Sequence, residues 1–504
     1  MVAPAVGLRA RGRPLAPLPA AADALGGAPS APSPTASSPA TKLYPNLDLD
    51  FVPAMTPAEW ARGFALAALT GALHAAFVAK LFTQRTSSPW YVTVAPTLAV
   101  AVLTFAIHRY LALEAKEQSR LISETAAADP DSLFTNVDDV TVHYKLRRPK
   151  KGPPRVVVSC CHGFGANTYS WERCAMSPLA EALGAAVVAH DSPGFGLTAR
   201  PHDLSKYLPK TNGAISRAML DVASVAYQSM EQRTVPQSPF PKPRRVVMGH
   251  SMGGIAAAVA AGAGDVDDVV LVAPALIPPR VGVKPRLYPN PKPVSLTTAL
   301  CGALGRFATA VAVYAFAPFL KLFLRKIVRS ATFWRRGLSK AVGRKCAGMF
   351  FTDMSWADGY RRPSCVKGWD DGMVRVVLAA ATAGVNDVWA AESAKVAAAI
   401  RKESPATRDA LEDMSTDAAA TLDALRCSGA RVLIVHGDED AIVPLENSRR
   451  LARALEGGDA DVELVVMRGC GHMPHEEDPD VFVEAVKEFV GEWNPRPTVR
   501  AKKP

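Results

Sequence analysis

Gly249-His250-Ser251-Met252-Gly253-Gly254 follows the apolar run Val246-Val247-Met248 without a break, and an alanine-rich stretch follows it. A strand that runs through G-x-S-x-G into a helix leaves the backbone few choices. The turn is too tight for a side chain at either outer glycine. It holds the serine at a strained angle, with its hydroxyl above the end of the strand. The segment thus predicts a nucleophile elbow centred on Ser251. The five-residue pattern alone recurs by chance, so its meaning depends on what else the chain carries.

Two later segments carry the partners such a serine needs. Residues 431–435 read as a buried strand and run into His436-Gly437-Asp438-Glu439-Asp440. Val462–Met467 reads as another, ending in Gly469-Cys470-Gly471-His472-Met473-Pro474. A carboxylate and a histidine just past strand ends can meet across the top of a parallel sheet, and the order Ser, Asp, His is the one this architecture uses. Ser251, Asp440 and His472 are the candidate nucleophile, orienting acid and base. Asp438 competes for the acid's place, with loop capping as its other role. His475 is expected to contact the surface or Glu476.

Acyl transfer passes through a tetrahedral oxyanion that needs preorganised N–H donors. One is expected from the residue after the nucleophile, Met252. The other is expected from Phe164, in the loop Cys161-His162-Gly163-Phe164-Gly165 after a strand at 155–160. Both donors are main-chain groups.

From about residue 133 onward the chain resembles the α/β-hydrolase superfamily, in the branch with a cap inserted after the sixth strand. Residues 134–144, the His162-Gly163 loop with Trp171, residues 191–198, the elbow and both later loops occur in that order. Residues 272–280, Gly359-Tyr360-Arg361-Arg362-Pro363 and Lys367-Gly368-Trp369 make it most similar to plant and algal plastid-type members, a group without one settled substrate. The resemblance favours Asp440 as the acid, since Gly437 and Asp440 match the family's G-x-x-D. Relatives that open epoxides or remove halides place Asp at the elbow, so Ser251 argues against those reactions.

His162, Gly163 and His250 flank the serine, and Tyr360 and Trp369 stand in the cap. These five are candidates for the substrate pocket, with local hydrogen bonding or aromatic packing as their other roles. Asp191 ends a strand and is expected to fix the turn after it. Ser-His-Asp chemistry implies no metal and no organic cofactor.

Expected strands at 155–160, 186–190, 244–248, 268–273, 431–435 and 462–467 alternate with helical stretches, which is the mark of a mostly parallel, doubly wound α/β sheet. The expected division is a core in two parts (133–275 and 426–495), a helical cap and connection (276–425) and a basic tail (496–504). The charged, alanine-rich residues 387–415 are expected to be a helical connection back to the core. The 8 cysteines show no C-x-x-C spacing, and Cys160-Cys161 read as small core residues.

Residues 1–45 are rich in Ala, Pro and Ser, with Arg9, Arg11 and Arg13 and a single acid, Asp23. That composition cannot build a core and has the character of a transit peptide, with disordered sequence as the alternative; the address expected is the chloroplast. Apolar runs at 64–82 and 90–107 follow. About 20 apolar residues span a bilayer, so the second run qualifies despite Pro96, while the first carries His74 and Lys80. A membrane-associated hairpin is expected over 60–112, alongside the alternative of two helices packed on the core.

Between Asp268 and Asp353 there is no acidic residue, and the stretch holds 14 Lys and Arg against a net charge of +11 for the whole chain. Within it, residues 307–320 form an apolar run bracketed by Arg306 and Lys321. The run is short for spanning and suits a helix in the membrane interface or one lining the cap. The basic residues are interleaved with apolar runs, so a membrane is expected as partner and nucleic acid is not. The expected activity is hydrolysis of a carboxylic, lipid-like ester at a membrane. Carbon–carbon bond hydrolysis, acyl transfer, or non-catalytic binding on the same fold are the alternatives.

Overall fold

A computed structural model describes residues 44, 46–82, 90–234, 243–276, 296–353, 355–382, 416–456 and 460–491. The transit-like segment (Tyr44 apart), the hairpin turn at 83–89, the connection at 387–415 and the basic tail lie outside the described residues.

Two helices open the described chain, α1 (Pro57–Phe82) and α2 (Trp90–Arg120). Small residues let them approach closely: a Cβ on Gly71 would lie 3.4 Å from that of Ala101. The polar residues inside the apolar runs face this seam. Thr70 pairs with Thr104 at 3.1 Å, and His74 Nδ1 with Thr97 Oγ1 at 3.0 Å. The outer faces, including Phe64, Leu73, Leu98 and Val102, are exposed. Both helices are long and apolar enough to cross a membrane, and in the apolar 18-residue window of α2 0% is buried.

The sheet has eight strands in the order β1-β2-β4-β3-β5-β6-β7-β8. They are β1 (Leu133–Val137), β2 (Val140–Arg147), β3 (Val156–Cys161), β4 (Ala185–His190), β5 (Arg244–His250), β6 (Asp268–Val272), β7 (Arg431–Gly437) and β8 (Val462–Met467). The last six run parallel, and β2 joins β4 antiparallel. Alternation with helices pointed to those six but not to β1 and β2. That pair is a hairpin closed by Asp138 and Asp139 at φ 47° and 63°, with no helix between.

Helices cover both faces of the sheet. On one, α5 (Pro209–Thr234) and α6 (Met252–Gly262) bury Ile215, Met219 and Ala257 against Val157, Val247 and Ile434. On the other lie α3 (Tyr169–Glu172), α4 (Met176–Leu183) and the C-terminal helix Pro479–Gly491, with Trp171, Leu179, Phe482 and Val486 packed on Val158, Met248 and Val435. Cys160 and Cys161 are fully buried on β3.

The cap enters between β6 and β7. Its described helices are α7 (Leu296–Val328), α8 (Ala331–Ala341), α9 (Met349–Thr352), α10 (Ser355–Arg361) and α11 (Trp369–Thr382), and helix Thr416–Arg426 leads back to β7. Ser330 separates α7 from α8 by capping the Phe333 N–H at 3.2 Å.

Candidate active site

Ser251 stands between β5 and α6 at φ 52° and ψ −117°. A non-glycine residue there costs of order 1–3 kcal/mol and persists only where its surroundings enforce it. Two main-chain hydrogen bonds do so, Ser251 N–H to Val272 O at 2.9 Å and Ala275 N–H to Ser251 O at 3.0 Å. The flanking glycines have no room for a side chain. A Cβ on Gly249 would lie 2.2 Å from Gly253 O, and one on Gly253 2.4 Å from Cys161 O. The Ser251 hydroxyl caps no N–H of α6, which leaves it available above the sheet.

Asp440 lies in the loop after β7, its carboxylate fully buried. Its Oδ1 accepts from the N–H groups of Ile442 (2.8 Å) and Val443 (2.9 Å), and its Oδ2 lies 2.8 Å from His472 Nδ1. His436 Nε2 stands 3.1 Å from the same Oδ2 and 2.8 Å from Val443 O. A carbonyl only accepts, so this nitrogen carries the proton. Burial alone would raise the Asp440 pKa, but the hydrogen bonds from His436 and His472 outweigh it and hold it down to about 2. An ionised Asp440 accepts a hydrogen bond from the His472 Nδ1–H, which leaves Nε2 with a free lone pair. Asp438 is used elsewhere: its Oδ1 accepts the Gly469 N–H at 2.6 Å and clamps the two loops together.

The His472 loop is held on several sides. Its own N–H donates to Ala341 O at 2.6 Å, at the end of cap helix α8. Its carbonyl accepts from His250 Nε2 at 2.8 Å. The Glu477 carboxylate gathers the N–H groups of Gly471 (2.9 Å), Met473 (3.0 Å) and Gly343 (2.8 Å).

On the opposite side, the loop after β3 presses on the elbow. A Cβ on Gly163 would lie 3.2 Å from that of Ser251 and 3.0 Å from His250 Nδ1. His162 is fully buried; its Nδ1 lies 2.7 Å from Gly163 O, and its Nε2 accepts the Ser192 N–H at 3.0 Å. Phe164 and Met252 follow Gly163 and Ser251 directly. Among the described residues, no protein acceptor takes the main-chain N–H of either.

The five pocket candidates therefore divide. His162, Gly163 and His250 surround the elbow, but both imidazoles are buried and hold loops in place, and burial keeps His250 neutral. Tyr360 is buried one layer back and donates to Glu476 Oε1 at 2.6 Å. Trp369 is buried with the Arg329 guanidinium 5.9 Å from its ring. Asp191 is buried in the turn after β4, where it accepts from Thr168 and Leu197 N–H and meets His143 Nδ1, each at 2.7 Å.

Of the two contacts expected for His475, the structure shows the one with Glu476 and not the one with the surface. It is fully buried, its ring tilted against that of Trp171 with centroids 4.4 Å apart, and its Nε2 lies 3.1 Å from Ser170 Oγ and 3.6 Å from Glu476 Oε1. Burial drives it down to about 3 and pushes Glu476 up to about 7. Sequence reasoning passed over His436, Glu476, Glu477 and Ala341 as parts of the site. The first three lie within five residues of Asp440 or His472, which was the one signal on offer. Ala341 acts through its carbonyl and gave none.

A parallel sheet whose strand ends bring a strained serine, a buried carboxylate and a histidine to one edge, under a cap inserted after the sixth strand, has the layout of an α/β-hydrolase. The chain belongs to the alpha/beta hydrolase family, whose family model matches residues 160–485. No curated protein matches it. Solved structures similar to it include a membrane phospholipase A described as a bacterial virulence factor (17% identity, 79% of this chain and 96% of that one, TM-score 0.36). Others are a bromoperoxidase from Bacillus anthracis (17%, 72% and 100%, 0.40) and a meta-cleavage product hydrolase from Pseudomonas fluorescens (19%, 72% and 98%, 0.40). At such scores, what those proteins do implies nothing for this one.

Proposed function

We propose that the protein is a serine hydrolase that cleaves a carboxylic ester of lipid-like character at a membrane, by way of an acyl-enzyme. The observation that carries this is the 2.8 Å contact between Asp440 Oδ2 and His472 Nδ1 beside a serine held at positive φ. Ser251 Oγ attacks the ester carbon as its proton passes to His472 Nε2, and the ionised Asp440 stabilises the imidazolium that forms. The oxyanion is received by the N–H groups of Phe164 and Met252. His472 then gives the proton to the departing alkoxide, which leaves as the alcohol. Water adds to the acyl-Ser251 with His472 again as base, releasing the carboxylic acid and restoring the serine.

Membrane attachment is supported by the exposed apolar faces of α1 and α2. The chloroplast as destination rests on the N-terminal composition alone.

The test is labelling of full-length protein in membranes with a fluorophosphonate probe, wild type against Ser251→Ala. Labelling that needs Ser251 supports an activated serine; equal labelling of both overturns it. Esters of graded acyl length then read the substrate class. Turnover of a diketone, or transfer to an acceptor other than water while esters stay inert, would replace ester hydrolysis.

A further inference from the structure

Helix α7 is 33 residues long, about 50 Å at 1.5 Å per residue. As the first described helix of a cap it would be expected to bury its apolar side over the core. Instead Phe307, Val311, Tyr314, Phe316, Phe319 and Phe323 are all more than half exposed. They do not form a single stripe. At 3.6 residues per turn, Phe307, Val311 and Tyr314 fall on one side and Phe316, Phe319 and Phe323 on roughly the other. A protein partner covers one face of a helix, whereas lipid surrounds it, and a helix apolar on more than one side is suited to a bilayer.

Apart from Arg306, which borders the apolar run on its N-terminal side, the charged residues of α7 gather at its C-terminal end, and that end is fixed to α2. Arg325 Nη1 bonds Glu114 Oε2 at 2.7 Å, while its Nε reaches Asp370 at 2.8 Å. Arg329 grips the buried Glu117 with both terminal nitrogens, one of them at 2.7 Å. Lys321 pairs with Asp371 at 2.5 Å. The two bridges to α2 join residues 211 and 212 positions apart, so both helices run in the same sense there. Carried onward at that offset, the apolar run 307–320 comes level with residues 96–109, the apolar part of α2. The ion pairs then form one polar layer at the foot of all three helices, with Lys116 and Glu59 joining α2 to α1 at 2.6 Å in the same layer.

We infer that α7 is a third lipid-embedded helix beside the α1–α2 hairpin, so that the cap is held in the acyl region of the membrane. This rests on the membrane placement of the hairpin proposed above. From α7 the chain passes through Ser330 into α8, whose Ala341 carbonyl holds the His472 N–H. The cap segment that enters the lipid is thus also the one that supports the candidate base.

The test places the photo-crosslinker benzoylphenylalanine singly at Phe319, Leu98 or Val225 of the full-length chain, in phosphatidylcholine vesicles whose lipid carries an alkyne-tagged acyl chain. Val225 is exposed on α5, a helix that packs on the sheet and not on α1, α2 or α7. Lipid adducts at 319 matching those at 98, and absent at 225, are the expected result. Adducts at 98 without any at 319 overturn the inference and leave the hairpin standing. Adducts at neither position overturn both. Crosslinks from 319 to a second protein chain in place of lipid also overturn it and make α7 a protein interface. Adducts at 319 alone also overturn it as stated, because the hairpin on which it rests is then not in the lipid.

Discussion

His250 Nε2 donates a hydrogen bond to the main-chain oxygen of His472 at 2.8 Å. The residue before the candidate nucleophile therefore holds the loop that carries the candidate base. Burial and the neighbouring His475 and His472 keep His250 far below the ordinary histidine range, so the ring stays neutral and the bond does not change with pH in the physiological range.

His250→Phe keeps the ring volume and removes this bond. Turnover should fall about 10- to 100-fold, because small displacements of a catalytic group are costly, while KM changes little. Steady-state kinetics on an ester found from the graded series checks this. A rise in KM with unchanged kcat would instead make His250 a substrate contact.

Asp440→Asn leaves the loop hydrogen bonds largely in place but removes the charge that faces His472 Nδ1. A fall in kcat of about 10⁴-fold is expected, with the fold retained by circular dichroism. Asp438→Asn, which loosens only the clamp on the Gly469 N–H, should keep most of its turnover.

Glu476 gives a pH dependence whose sign can be worked out. Burial raises its carboxyl from 4.5 to about 7 in the folded protein. Between those values the folded chain keeps a proton that the unfolded chain has released. Stability therefore falls as pH rises through that window and levels off above it, by at most about 3 kcal/mol. Glu476→Gln can still accept from Ser170 and Tyr360 and should abolish the slope. Thermal unfolding of both proteins in detergent across the window reads the difference.

Glu117 is fully buried against Arg329. Glu117→Gln leaves that guanidinium without its counter-charge and should cost about 3 to 5 kcal/mol of stability. Glu117→Leu combined with Arg329→Met should recover much of the loss, because an apolar pair needs no counter-charge. Thermal unfolding of the single and double variants is the measurement.

The elbow was legible in the sequence because its constraint is local. Gly249 and Gly253 are required by atoms only a few residues away, or on the adjoining strand. The parallel strands β3 to β7 were legible for a related reason, since buried β-strands leave continuous apolar runs; β8, at the sheet edge, is only partly buried and was legible from its Val- and Leu-rich sequence. Asp440 and Asp438 look alike in sequence, and so do His472 and His475. Which carboxylate meets which imidazole depends on how the exits of β7 and β8 face each other.

What the sequence by itself determined is the kind of backbone at each strand end and the residue types carried there. Hydrogen bonding and sterics act over a few positions, so those choices are written where they apply. The tertiary structure alone decided that Ala341 of the cap holds the His472 loop and that His250 is a support. It alone also ties α7 to α2 through Arg325 and Glu114, 211 positions apart. Such pairings join residues remote in the chain through a main-chain carbonyl, an imidazole or a buried ion pair. Their geometry is set only when the sheet, cap and N-terminal helices are packed together.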